Sequence, residues 1–279
     1  GSVYDNLGDY QKALEYYFQA LNVFEKVFGT DHPHTATSYN NIGSVYYNLG
    51  DYQKALEYYY KDLGICEKVY GNEHPDTATS YNNIGSVYDN LGDYQKALEY
   101  YLKALDIVEK VLGKEHPNTA TSYNNIGYVY DNQGDYPKAL EYYFKALDIE
   151  EKVLGKGHPD TADSYCNIGS VYSNQGDYPK ALEFHFKALD IKEKVLGGEH
   201  PNTATSYNNI GLVYDNQGDY PKALEYYLKA LDIIEKVLGG EHPNTKNLIN
   251  KIRNIEELCP KEPSGFLHNL KGFFQKTRK

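Results

Sequence analysis

The chain contains no tryptophan and no methionine, and its three cysteines, Cys66, Cys166 and Cys259, lie far apart with no CxxC among them. That spacing excludes a disulfide framework and points to reduced thiols in a cytoplasmic setting. No run of 18 apolar residues occurs, which removes a membrane-spanning helix. Basic charge is in short supply. The 28 Lys and Arg stand against 39 Asp and Glu, and the net charge of −11 argues against nucleic acid as the main partner. GxGxxG, GxSxG and HExxH are all missing, and Gly155-Lys156-Gly157 lacks the upstream glycine and the Ser/Thr of a phosphate loop. Carboxylates pair only with lysines at surface i,i+4 spacing and do not converge on a pocket. Catalysis within the chain is not expected, nor is a cofactor. Aromatics at 14% and charge at 24% exclude a disordered chain.

What the sequence has in excess is repetition. Gly-Asp-Tyr recurs at positions 8, 50, 92, 134, 176 and 218, a period of 42 residues. Self-similarity over nearly the whole length predicts one stack of small units in place of two ordinary domains. Within one copy, Ala120, Tyr123, Ile126, Gly127 and Tyr130 fall on one helical face, with Pro117 where the first turn begins. Gly134 then breaks the pattern and Asp135 can cap the next start, so the two helices are antiparallel neighbours. In the longer second helix the apolar stripe runs Tyr94, Ala97, Leu98, Tyr101, Ala104, Leu105, Val108, Val111 and Leu112. On its other side Glu99 faces Lys103 and Asp106 faces Lys110, acid before base, a solvated face. Gly127 sits mid-helix, where it costs about 1 kcal/mol against alanine. A close backbone approach is the expected compensation, with small Ala97 and Ala104 on the partner helix and the 31 tyrosines filling the gaps between.

The order Ile126-Gly127, Tyr130, Gly134, Tyr136, Ala139-Leu140, Tyr143, Ala146-Leu147 resembles the tetratricopeptide repeat, usually 34 residues long. The eight extra residues lie in the 109–117 stretch and its copies. Together with Asn-Asn-Ile-Gly at 124–127 they make the unit similar to the 42-residue repeats of kinesin light chains. The resemblance covers residues 1–258. It implies an all-α fold, an α-solenoid of antiparallel helix pairs in a right-handed superhelix, whose first helices line a concave groove for extended peptides.

If the first helices face inward, their non-core positions form the binding surface. These are Thr37, Asn40, Asn41, Ser44 and Asn48 in one copy, and Thr79, Asn82, Asn83, Ser86 and Asn90 in the next. Asn124, Asn125, Asn167, Asn208 and Asn209 continue the series. An amide offers two donors and a double acceptor, so a row of them can pair with the backbone of an extended chain. In the related kinesin light chains asparagines at the matching place contact peptide backbone, which makes this asparagine series the candidate peptide-binding set. The other reading of the same residues is that they hydrogen-bond between adjacent first helices and only satisfy the stack. The first helices carry no Lys or Arg, whereas Asp89, Asp131 and Asp215 sit near their far ends and Asp163 replaces a threonine. Such a groove repels carboxylates and favours neutral or basic segments, unlike relatives that clamp acidic peptides.

Several single positions depart from the repeat. Asp62 replaces a packing alanine and is expected at a tolerated edge position; His185 replaces a core tyrosine and is expected to be a satisfied interior histidine; Cys166 replaces an asparagine as a neutral substitution. Six histidines, His32, His74, His116, His158, His200 and His242, each precede a proline. Stacked units stand roughly 10 Å apart, too far to share a metal whose ligands lie at about 2 Å, so a loop-packing role and no metal are expected.

Residues 1–242 thus read as the array, its first copy truncated and in register with Gly85-Ser86-Val87-Tyr88, as in a piece of a longer array. Residues 243–258 read as a C-terminal capping helix, in which Arg253 replaces the packing glycine and Glu256 the core tyrosine. Residues 259–279 form a basic, one-sidedly apolar tail that could touch an anionic membrane, lie in an acidic groove or be disordered. The function expected is a non-catalytic interaction scaffold for a peptide or protein partner, with a self-associating rod or the sensor arm of a larger signalling protein as alternatives. Self-association would use the open N-terminal end or the tail.

Overall fold

A computed structural model describes residues 1–258; the tail reading falls outside the described residues. Among these, thirteen helices and no strands occur: α1 (Ser2–Asn6), α2 (Tyr10–Phe28), α3 (Pro33–Asn48), α4 (Tyr52–Tyr70), α5 (Pro75–Asn90), α6 (Tyr94–Leu112), α7 (Pro117–Asn132), α8 (Tyr136–Val153), α9 (Pro159–Asn174), α10 (Tyr178–Leu196), α11 (Pro201–Gln217), α12 (Tyr220–Leu238) and α13 (Pro243–Leu258). The architecture is the all-α solenoid of antiparallel helix pairs. It divides into two compact units, Gly1–Val171 and Tyr172 onward. In the first, each helix from α1 to α7 packs on its successor; in the second, α10 packs on α11, α11 on α12 and α12 on α13.

Local chemistry fixes the ends of the repeated helices. At the end of α7, Gly134 takes φ 75°, Asp135 N–H bonds Tyr130 C=O at 2.9 Å and Gly134 N–H bonds Asp131 C=O at 2.9 Å. This is a Schellman closure, which satisfies two orphan carbonyls. The Asp135 side chain then accepts from Lys138 N–H and starts α8. Longer helices stop at glycines such as Gly113, φ 94°. There Thr119, wholly buried, donates from Oγ1 to Gly113 C=O at 2.8 Å, and Tyr123 OH bonds the Glu109 carboxylate. The same latch recurs at Thr35, Thr77, Thr161, Thr203 and Thr245. Each ties one helix pair to the next.

Histidine opens the shorter helices. The His116 Nδ1 atom accepts from Asn118 N–H at 3.1 Å, and His32, His74, His158, His200 and His242 do the same in their copies. The loop-packing expectation thus becomes a specific one, an N-cap directly before a proline at N1.

The core follows the predicted stripes with two corrections. Ile107 is buried, whereas Val111 is 45% exposed. The close approach at Gly127 is made by an aromatic ring and not by backbone or alanine. A Cβ on Gly127 would fall 2.9 Å from Tyr143 Cδ1, and Gly43, Gly85 and Gly211 meet Tyr59, Tyr101 and Tyr227 in the same way. Surface charges behave as expected, with Lys103–Glu99 at 2.7 Å and Lys110–Asp106 at 2.8 Å.

Candidate functional site

The shorter helices α3, α5, α7, α9 and α11 carry the candidate residues. None of the five contains Lys or Arg, while Asp76, Asp89, Asp131, Asp160, Asp163 and Asp215 lie on them. In the first unit these helices are joined side by side by side chains. Tyr47 OH on α3 accepts from Ser86 Oγ at 2.9 Å and from Asn90 Nδ2 at 2.7 Å, both on α5. Asn132 Nδ2 on α7 reaches Asp89 Oδ1 on α5 at 3.5 Å, and Asn124 on α7 bonds Ser164 Oγ on α9 at 3.2 Å. Partial burial raises the Asp89 pKa, and the Asn132 amide opposes the rise. In the second unit Asp215 accepts from Tyr227 OH at 3.4 Å.

The asparagines separate into two kinds. The first of each pair enters the crevice between one short helix, the following long helix and the next short helix. Asn40 Nδ2 donates to Asp62 at 3.3 Å, Asn124 Nδ2 to Glu150 at 3.0 Å, and Asn208 accepts from Lys251 Nζ at 3.3 Å. Asn82 Oδ1 is buried without a partner, and Ala104 and Val108 stand at the positions of Asp62 and Cys66. The second of each pair, Asn41, Asn83, Asn125, Asn167 and Asn209, is half-buried, and among the described residues no side-chain partner accompanies it.

Two such crevices open into cavities. One, of about 190 Å³ between α3, α4 and α5, includes Asn40, Asp62, Cys66 and Asp76. The other, of about 210 Å³ between α11, α12 and α13, includes Asn208, Ile234, Asn247 and Lys251. Sequence reasoning missed them because a crevice is made by residues 42 apart plus a third helix. The available signal was the floor itself, where near-identical copies differ: Cys66, Val108, Glu150, Lys192 and Ile234 share one position.

Asp62 is not at a tolerated edge. It is 3% exposed, and its carboxylate accepts from Ser80 Oγ at 2.6 Å, from Asn40 and, at 3.6 Å, from Cys66 Sγ. Burial raises its pKa and pushes the Cys66 thiol up to about 12, so this cysteine is a poor nucleophile. Glu150 is also buried and its pKa is raised by burial, with one carboxylate oxygen lacking any partner. Glu150→Val, which installs the residue of position 108, is expected to stabilise the protein by about 1 kcal/mol at pH 7. Protonated Glu150 escapes its burial penalty, so urea titrations should show the gain shrinking as pH falls towards the ordinary carboxylate range.

A tetratricopeptide repeat family model matches residues 1–61, 36–110, 88–151, 132–194, 160–236 and 209–252. The chain belongs to the tetratricopeptide repeat family. It is similar to BtubC (BKLC) from P. vanneervenii, with 23% identity over 84% of this chain and 94% of that one and a TM-score of 0.70. A kinesin light chain protein of Podosopora anserina with nearly identical tetratricopeptide-like repeats is 26% identical over 74% of this chain and 98% of that one, TM-score 0.63. The apo form of RapI shares the fold at 19% identity, covering 92% and 93%, TM-score 0.64. No curated protein gives a significant match. The tetratricopeptide chain is thus a repeat scaffold of the kinesin-light-chain-like kind, and no enzyme family is indicated. No helix among the described residues is long and apolar enough to cross a membrane.

Proposed function

We propose that the chain is a non-catalytic scaffold that binds an extended peptide, or an extended segment of a partner protein, along its short helices. The observation that supports this best is the row of half-buried amides at Asn41, Asn83, Asn125 and Asn167 on a cation-free face. Polar groups at half depth without partners are ready to pair with a ligand backbone. Asn40, Asn82 and Asn124 form the inner edge of the same surface, and Asp89 and Asp131 its acidic end. Asn208, Asn209 and Asp215 hold the matching positions in the second unit, where the Lys251 ammonium bonds Asn208. The aspartates disfavour carboxylates and favour neutral or basic segments, and the field acts mainly on encounter and on rejection of wrong partners.

Calorimetry with length-matched extended peptides rich in lysine, glutamine or glutamate tests the reading. The lysine and glutamine peptides are expected to bind at least ~10-fold tighter than the glutamate peptide, with the difference narrowing at high salt. Removing the amides in Asn83→Ala/Asn125→Ala should weaken binding by roughly 5-fold or more while leaving the melting temperature nearly unchanged. Tighter binding of the glutamate peptide would reverse the assignment.

A further inference from the structure

The crevice between α3, α4 and α5 carries an acid at a floor position that is alanine in the crevices that follow. Asp62 stands where Ala104, Ala146, Ala188 and Ala230 stand elsewhere. Every partner of its buried carboxylate is neutral, namely Ser80, Asn40 and Cys66, and among the described residues no cation pairs with it. An ionised carboxylate removed from water without a counter-charge is costly, and a cation delivered to it recovers part of that cost. Asp76, exposed in the first turn of α5, adds a second negative charge at the rim, and Tyr70 offers a flat apolar wall. The cavity, about 190 Å³, has room for a long side chain where a water occupies about 30 Å³.

The equivalent crevice in the second unit shows what such a space accepts. There the chain's own Lys251 lines the cavity, donates from Nζ to Asn208 Oδ1 at 3.3 Å, and lies 5.5 Å above the Tyr227 ring. Asn208 is the counterpart of Asn40, and Tyr227 of Tyr59, four repeats on. The position of Lys251 is occupied by Asn83 in the first unit, so α5 brings no ammonium of its own to the crevice that holds the acid.

We infer that the α3–α4–α5 crevice is a pocket for a lysine or arginine side chain of the partner, with Asp62 as its counter-ion and Asn40 as a second acceptor. The inference rests on the peptide reading only for how the side chain is delivered. The pocket itself can be probed with a small molecule.

The probe is N-acetyl-lysine methylamide, with its norleucine analogue as the neutral isostere, titrated into the full chain and followed by NMR. Saturable shifts of the Asn40 side-chain amide by the lysine probe, at least ~10-fold weaker for the norleucine analogue, are expected. In Asp62→Ala, which installs the residue of the other repeats, that preference should disappear; Asp62→Asn keeps the hydrogen-bonding shape and should lose it as well. Equal shifts by both probes, no shift near Asn40, or an unchanged preference in Asp62→Ala would overturn the pocket. Loss of peptide binding with the lysine probe still bound would overturn only the extended-peptide reading, and peptide binding indifferent to Asp62 only the pocket.

Discussion

Tyr143→Ala is expected to lower the stability of its repeat by about 3–5 kcal/mol, the cost of emptying a fully buried aromatic site. The ring is 1% exposed and lies against the backbone of Gly127 on the facing helix. Gly127→Ala should also destabilise, because its Cβ would sit 2.9 Å from Cδ1 and 3.0 Å from Cε1 of that ring. Overpacking of this kind costs about 1–3 kcal/mol, against the roughly 1 kcal/mol that alanine gains over glycine in a helix. The decisive measurement is the double mutant. With the ring gone, Gly127→Ala should become stabilising by about 1 kcal/mol, a reversal of sign that urea denaturation would detect. Additive effects would mean that something other than Tyr143 excludes a side chain at position 127. Hydrogen exchange should place the loss in α7 and α8 first, since each repeat is held only by its neighbours.

Acid should weaken the second unit through a single histidine. His185 is 2% exposed and, contrary to the expectation of a satisfied interior histidine, its Nδ1 has no partner. Burial, with Lys192 nearby, lowers its pKa from 6.5 to about 4. Above pH 6.5 both folded and unfolded chains hold it neutral. As the pH falls below 6.5 the unfolded chain binds a proton that the folded chain refuses until about pH 4, so stability drops by roughly 3 kcal/mol across that window. His185→Tyr, which restores the residue of positions 101, 143 and 227, should remove this loss. The carboxylates of Asp62 and Glu150 titrate with the opposite sign, because their raised pKa values favour the folded state once they are protonated. The difference between His185→Tyr and the parent protein isolates the histidine from them. Parallel stability curves from pH 7 to 4 would show that His185 is protonated without penalty.

Both predictions concern positions where the sequence announced importance without revealing its physical form. Gly127 was legible as an anomaly, a glycine inside an apolar helical stripe, but the partner that requires it is a tyrosine 16 residues away on another helix. His185 and Asp62 were visible as departures from the repeat, yet their burial depends on what the next pair covers. The histidine caps could have been found from sequence, since a residue with a ring acceptor directly before an N1 proline stands where an N-cap belongs. The crevice floor was harder to see, because position 66 and its copies read as ordinary stripe positions until two flanking helices turn them into one wall.

The 42-residue period, the helix boundaries, the antiparallel pairing and the absence of Lys and Arg from the short helices were determined by the sequence alone. These are local properties: spacing of apolar residues, proline and glycine at helix ends, and the identity of the residues on one face. Tertiary structure alone decided which asparagine of each pair enters a crevice, that Tyr143 and not an alanine meets Gly127, and that Asp62 is buried without a cation. Those outcomes depend on burial and on contacts between residues of different repeats, and near-identical repeats acquire distinct chemistry only when their neighbours remove them from water.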